Sequence, residues 1–401
     1  MSVDNPSPVP FTVNIPNEEV ERMRRLIQDT RLPEEPFVPE ASWDFGVDLK
    51  WLKEMKDKWV NEFDWKKVES DMNQFHHYTV PIEGITLHFI HEKSARDDAV
   101  PIVLSHGWPG TFWDFHKILK SLTDPPSNHP AFHVVIPSLP GFGFSSPPPK
   151  EWTMADNARV INVLMTGVLG YDSYMAQGGD LGGVITANLG TPKFPACKLI
   201  NLNGVGFPPP FTALLTLPLF LFPTSFRKWI YSKIYSEEER DDFYRSIQFL
   251  KKGFAYFLQQ ATRPMTIGYA LYDSPIGILS WIGEKFPELM DPDVSPSLTH
   301  DILTTISIYY LTRTIHTAAL PYLQNFQSVQ DPIVTKPYGL SRFPHDVFML
   351  PISWIHAKFK NLVFVRRHDH GGHFPALEVP DLLVGDLREM IVQNGILFEQ
   401  N

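Results

Sequence analysis

The segment Gln177-Gly178-Gly179-Asp180-Leu181-Gly182-Gly183 follows the apolar run SYMAQ and leads into VITANLG. A strand, a turn crowded by glycines and then a helix is the arrangement that lifts a nucleophile off a sheet and presents it to a substrate. A serine at the centre of such a turn must lose its proton to a base as it attacks. The centre here is Asp180, and a carboxyl group with an unperturbed pKa of roughly 3.9 is already ionised at neutral pH. Taken alone, Asp180 reads equally well as the cap of the following helix.

Two further loops follow strand-like runs and could converge on that turn, because ligand crevices of parallel sheets lie at the carboxyl ends of the strands. The first is His106-Gly107-Trp108-Pro109-Gly110, after VPIVLSH. Its tight turn could aim the backbone N–H of Trp108 at a developing oxyanion, with a second N–H from Leu181, the residue after the nucleophile. The second is RRHDHGGHFPALE, where His373 stands directly after a Gly-Gly pair beyond the run NLVFVRR. Nucleophile, acid and histidine in that order would need an acid between them. SRFPHDV offers Asp346, 27 positions before His373, and a carboxylate buried against the imidazole would fix its tautomer and stabilise the imidazolium. Asp369 competes, but it shares a loop with His373 and its side chain would have to fold back. His368 and His370 read as satisfied core or surface histidines.

The elements that must position these groups are legible as periodicity. Runs rich in β-branched and aromatic residues at 75–80, 85–92, 100–106, 131–138, 173–177, 198–203 and 361–367 read as strands. Helical patterns stand between several of them, notably Met154 to Leu169, so an α/β architecture with a mostly parallel sheet covered on both faces is expected. Ahead of the strands, Asn17 is a plausible N-cap for a helix carrying Val20, Met23 and Ile27. A second helix over Val47 to Phe63 shows a stripe of Trp51, Met55, Trp59 and Phe63 that reads as packing. Strand-like signal disappears between about 207 and 330, which predicts a helical insertion. The glycine-rich PGFGFS at 140–145 reads as loop shaping, and GGDLGG lacks the lysine and the glycine period of a phosphate-cradling loop.

Composition excludes several partners. The 401 residues carry a formal charge of -10, which offers no basic footprint for nucleic acid or an anionic membrane. The one cysteine, Cys197, excludes an intrachain disulfide and any multi-cysteine zinc site, and it reads as a small buried apolar residue. The N-terminus lacks a basic region followed by an apolar stretch, so a cytoplasmic protein without signal peptide or membrane anchor is expected. The most apolar segment, Phe211 to Phe226, is interrupted by Pro218 and Pro223 and is shorter than a membrane span, so it reads as lid or substrate-site packing.

Together HGWPG with Trp108, QGGDLGG with Asp180, FPHD with Asp346 and GGHF.ALE.P from Gly371 to Pro380 resemble the microsomal-type epoxide hydrolases of the α/β-hydrolase superfamily, especially their soluble fungal branch. The resemblance runs nearly the whole chain and includes PFTVNIP and TRLP between Pro10 and Pro33. It implies an α/β-hydrolase fold with a mostly parallel eight-stranded sheet, an N-terminal extension over 1–90, core halves over 91–206 and 331–401, and a helical lid over 207–330. It also implies two lid tyrosines. Tyr256 in GFAYFLQQATRP matches the first, and Tyr322, thirteen positions after Tyr309, matches the second, with Tyr309, Tyr310 and Tyr338 as substitutes.

The expected reaction converts a small hydrophobic epoxide and water to a vicinal diol through an ester of Asp180. Tyrosine hydroxyls would assist the leaving oxygen, and His373 would activate the water. His106, Gly107 and Pro109 would shape the substrate loop. No metal, nucleotide or flavin is required, and the resemblance implies a homodimer. Two other readings compete. A haloalkane dehalogenase uses aspartate and histidine on this fold, but typically has a halide-binding tryptophan where Leu181 stands. A catalytically silent small-molecule binding protein shares the fold without the chemistry.

Overall fold

The computed structural model describes residues 7–204, 224–326 and 332–395. Within these residues nine strands form one sheet: β1 (Val9–Phe11), β2 (His77–Ile82), β3 (Ile85–Glu92), β4 (Val100–Ser105), β5 (Phe132–Pro137), β6 (Tyr174–Gly179), β7 (Cys197–Asn203), β8 (Tyr338–Arg342) and β9 (Leu362–Arg367). Their order in space is β1-β2-β3-β5-β4-β6-β7-β8-β9. The first four in that order pair antiparallel, and β5 through β9 are parallel.

The centre of the sheet follows directly from composition. Every residue of β4 is buried, as is nearly every residue of β6 and β7, and strands covered on both faces must be apolar throughout. Helices Met154–Val163, Asp180–Leu189 and Pro380–Asn394 supply that cover. The expected count of eight strands is corrected to nine. Two of the nine were not foreseen: β1 has only three residues, two of them exposed, and β8 is a short polar-looking YGLSR whose side chains are nonetheless all buried.

The first helix runs Asn17–Asp29, so Asn17 is its first helical residue and Pro16 occupies the cap position without a side-chain cap bond. Asp48 caps the second helix, Leu49–Asn61, through the Trp51 N–H at 2.8 Å. Met55 and Trp59 of the expected stripe are buried, while Trp51 packs edge-on against Trp43. The described part of the insertion, 224–326, contains helices and no strand, in line with its pattern. It is fastened to the sheet by Asp242, whose carboxylate, almost fully buried, accepts from Arg342 of β8 at 3.1 Å and from Arg367 of β9 at 2.5 and 3.0 Å. Of the apolar segment Phe211 to Phe226, positions 211–223 lie outside the described residues. Among the described residues no helix is long and apolar enough to cross a membrane.

Candidate active site

Trp108, Asp180, Asp346 and His373 lie beyond the carboxyl ends of β4, β6, β8 and β9. Asp180 follows β6 and is the first residue of its helix, held at φ 51°, a left-handed conformation uncommon for non-glycine residues though more accessible to aspartate than to most. The turn closes only because its neighbours lack side chains. A Cβ on Gly182 would overlap the Ser105 carbonyl oxygen, and one on Gly107 would overlap Asp180 itself. The Asp180 N–H donates to the Gly204 carbonyl beyond β7 at 3.1 Å, which locks the turn to the next strand.

The two carboxylate oxygens of Asp180 have different company. Oδ1 accepts from the Trp108 N–H at 2.9 Å, and the Leu181 N–H also supports the anion. Oδ2 lies 3.8 Å from His373 Nε2. Burial raises the Asp180 pKa above the ordinary carboxylate value, opposed by the nearby imidazole and the two N–H donors. The helix N-terminus beneath Asp180 adds a further field that favours the anion.

His373 Nδ1 is 3.0 Å from Asp346 Oδ1, which also accepts from the Phe348 N–H at 3.0 Å. Asp346 is wholly buried and His373 nearly so. Burial alone would push the imidazolium down, but the carboxylates of Asp346, Asp180 and Glu378 outweigh it and hold His373 up at about 9. The competitor Asp369 points into solvent, where it pairs with His370. His368 is bound to Asp386 at 2.9 Å and stacks on Phe343.

The lid lowers two tyrosines over the same turn. Tyr256 belongs to helix Ala255–Thr262 and Tyr322 to helix Leu320–Phe326. The Trp108 ring stacks on Tyr256, with centroids 4.8 Å apart and planes 13° apart, and meets Tyr322 edge-on at 5.9 Å. The tyrosine rings themselves cross at 81° with centroids 6.0 Å apart. Burial, with the Asp180 charge contributing, raises both phenols well above 10, so they stay protonated. The two hydroxyls act on each other, although no hydrogen bond of full geometry satisfies that of Tyr322 among the described residues. The substitutes are otherwise engaged: Tyr309 donates to the Gly110 carbonyl, Tyr310 to Asp273 and Tyr338 to the Phe359 carbonyl, each at 3.0 Å.

His106 is buried and bridges Gly107 and Leu139. Its Nδ1 lies 3.0 Å from the Gly107 carbonyl oxygen, and its Nε2 accepts from the Leu139 N–H at 3.2 Å. Desolvation brings it down to about 4, so it stays neutral and shapes the loop. Pro109 follows Trp108 through a cis peptide bond. Behind Asp180 and His373, on a wall without the tyrosines, lies a cavity of about 40 Å³ whose polar lining includes Ser105, Asp114, Gln177 and Asn203. Cys197 is buried in β7, with its thiol pushed up to about 12 by desolvation.

Sequence reasoning missed three supports. Asn203 ends β7, accepts from Gln177 at 2.8 Å and reaches the His373 carbonyl at 3.5 Å; its place at a strand's carboxyl end was the available signal. Asp114 accepts from the Thr111 N–H, and burial raises it to about 7. Glu378 accepts from the Phe374 and Asp291 N–H groups at 2.8 and 2.7 Å, tying the histidine loop to the lid. Among the described residues no cluster of side chains is suited to hold a metal ion.

This geometry coincides with clear relatedness. The model for the epoxide hydrolase N terminus matches residues 8–115, and that for the alpha/beta hydrolase fold matches residues 100–234. Pig Epoxide hydrolase 1 is 32% identical over 98% of this chain and 89% of its own length. The chain belongs to the epoxide hydrolase family. Its α/β-hydrolase fold is shared with the solved epoxide hydrolase of Aspergillus niger, 38% identical with a TM-score of 0.84 over 96% of both chains. The juvenile hormone epoxide hydrolase of the silkworm Bombyx mori superposes with a TM-score of 0.85 over 96% of this chain and 94% of that one, at 26% identity. Membership in this family makes the protein a hydrolase enzyme.

Proposed function

We propose that the protein hydrolyses small hydrophobic epoxides to vicinal diols in two steps, through a covalent ester of Asp180. One observation carries the reading. Asp180 has one oxygen held by the Trp108 N–H and the other near His373, beside two buried phenols whose electrostatics its charge reaches.

In the first step Oδ2 attacks an epoxide carbon, the carbon–oxygen bond breaks, and a phenol proton passes to the departing alkoxide. Tyrosine suits this task because it holds its proton at neutral pH and still donates to a stronger base. In the second step His373 takes a proton from water, whose oxygen attacks the ester carbonyl carbon. Oδ1 becomes the oxyanion, supported by the N–H groups of Trp108 and Leu181. Collapse releases the diol, which takes the histidine's proton. The remaining water proton restores the tyrosine. Leu181 provides no ring N–H for a halide, so dehalogenation has no corresponding support.

The test is to trap the ester. With His373→Gln and an aryl oxide, peptide mass spectrometry should find the mass of one substrate added to the peptide containing Asp180, and no adduct in Asp180→Asn. A folded His373→Gln protein that consumes epoxide without any adduct would overturn the covalent route.

A further inference from the structure

Lys285 opens the short helix Lys285–Leu289 in the lid and is only 3% exposed. Lysine is rarely buried so completely unless paired. Its Nζ is 2.8 Å from Glu284 Oε2 and 2.9 Å from Glu288 Oε2, and it lies over the Tyr256 ring, 5.2 Å from the centroid. Trp108 stacks on that same ring, so an ammonium and an indole both contact the phenol ring. The indole belongs to the loop whose N–H holds Asp180. The cation therefore touches the acid and not the nucleophile.

From this placement we propose that Lys285 is a positioning residue of the epoxide-opening step, which holds the Tyr256 ring and makes its phenol a better proton donor to the leaving oxygen. The inference rests on the assignment of Tyr256 as one of the two acids. A cation against the ring face draws density from the phenol and stabilises charge that develops on its oxygen as the proton leaves. Lys285 also neutralises Glu288, whose carboxylate acts on Tyr256 in the opposite sense. The two neighbours thus pull the same phenol in opposite directions, and the lysine's charge keeps the acidic pair from weakening the donor.

The test is single-turnover reaction of the full chain with an aryl oxide, enzyme in excess, following ester formation and ester decay separately by quenched mass spectrometry. Lys285→Met should slow ester formation roughly 10- to 30-fold, the rate equivalent of a desolvated cation–ring attraction, and leave ester decay unchanged. Lys285→Arg should keep most of the rate. Glu288→Gln, which retains the lysine and removes the opposing charge, should leave ester formation unslowed or faster; it reads the same field even if Lys285→Met does not fold. Equal slowing by Lys285→Met and Glu288→Gln, or slowing of both chemical steps alike, would show a merely structural role and overturn the proposal. In a Tyr256→Phe background Lys285→Met should add nothing, and a full additional loss there would also overturn it. Tyr256→Phe forming ester at the wild-type rate would instead remove the underlying assignment.

Discussion

At the residue scale, the site is governed by how three carboxylates share one imidazole. Asp346, Asp180 and Glu378 together raise His373 to about 9 against its burial, which favours the imidazolium while Asp180 is ionised. On the proposed route, esterification would remove the Asp180 charge and with it one of the three, so the imidazole would become a neutral base just when water must be activated. Ester decay measured across pH should therefore rise along a limb whose midpoint lies below about 9; a midpoint at or above that value would contradict the sharing. Stability carries the opposite sign. The folded pKa exceeds the unfolded one, so the contribution of His373 is complete below roughly 6.5 and disappears as pH rises through about 9. The melting-temperature deficit of His373→Gln should accordingly shrink between mildly acidic and alkaline buffer. Asp346→Asn should lower ester decay by about two to four orders of magnitude, since the amide favours the wrong tautomer, with ester formation far less affected. Asp180, His373 and Asp346 could be singled out as candidates because the proposed roles demand particular side chains in particular loops. Lys285 was not, because a lysine in a charged run such as GEKFPE reads as solvated surface, and only packing reveals its burial.

At the scale of elements, glycines and strand ends decide whether the site can assemble. Gly182 passes so close to the Ser105 carbonyl that any Cβ must displace β4 or the helix that Asp180 opens. Gly182→Ala should cost about 1–3 kcal/mol of unfolding free energy by overpacking, with a disproportionate loss of activity as Asp180 moves away from the Trp108 N–H. Glu378 is a clamp between elements. It accepts from Phe374 in the histidine loop and from Asp291 in the lid, while Asp291 accepts from the Gly371 N–H at 2.8 Å and the His373 N–H donates to the Leu289 carbonyl at 3.0 Å. Glu378→Ala should orphan two buried donors at a cost of about 1–3 kcal/mol each. It should slow ester decay more than ester formation, since it loosens His373 and leaves Asp180 in place; equal slowing of both would argue against the clamp. Seven strands were legible because apolar or alternating runs declare themselves. β8 was not, because Ser341 and Arg342 look polar and are buried only through partners elsewhere, Asn201 and Asp242, and β1 is too short to carry a period.

At the scale of the whole molecule, the N-terminal extension braces the lid over the sheet. It contributes β1 to the sheet edge through pairing with β2. Its buried Glu69 accepts from the Ile15 N–H at 2.7 Å and from Trp65 at 3.2 Å. Its first helix reaches the lid through ion pairs from Arg22 to Asp273 and from Glu19 to Arg313. Exposed pairs of this kind contribute little each, roughly 0–1 kcal/mol, so the brace acts mainly through packed residues such as Met23 and Ile27. Calorimetry of the full chain should show lid and core unfolding in one transition. A chain lacking residues through Asp48 should melt at lower temperature with the lid transition separated, and an unshifted single transition would show that the extension is dispensable. The helical character of the insertion was legible from its missing strand signal. Which of its tyrosines face Asp180 followed from the family resemblance, because aromatic spacing alone does not say which hydroxyls are already engaged.

On the proposed covalent route Asp180 attacks carbon and water then attacks the ester. Single-turnover hydrolysis in oxygen-18 water, with enzyme in excess over an aryl or alkyl oxide, separates this from direct attack by water. The covalent route predicts an unlabelled first diol, its new oxygen coming from Asp180, with the label retained in the Asp180 carboxylate. Label in the diol of the first turnover would contradict it.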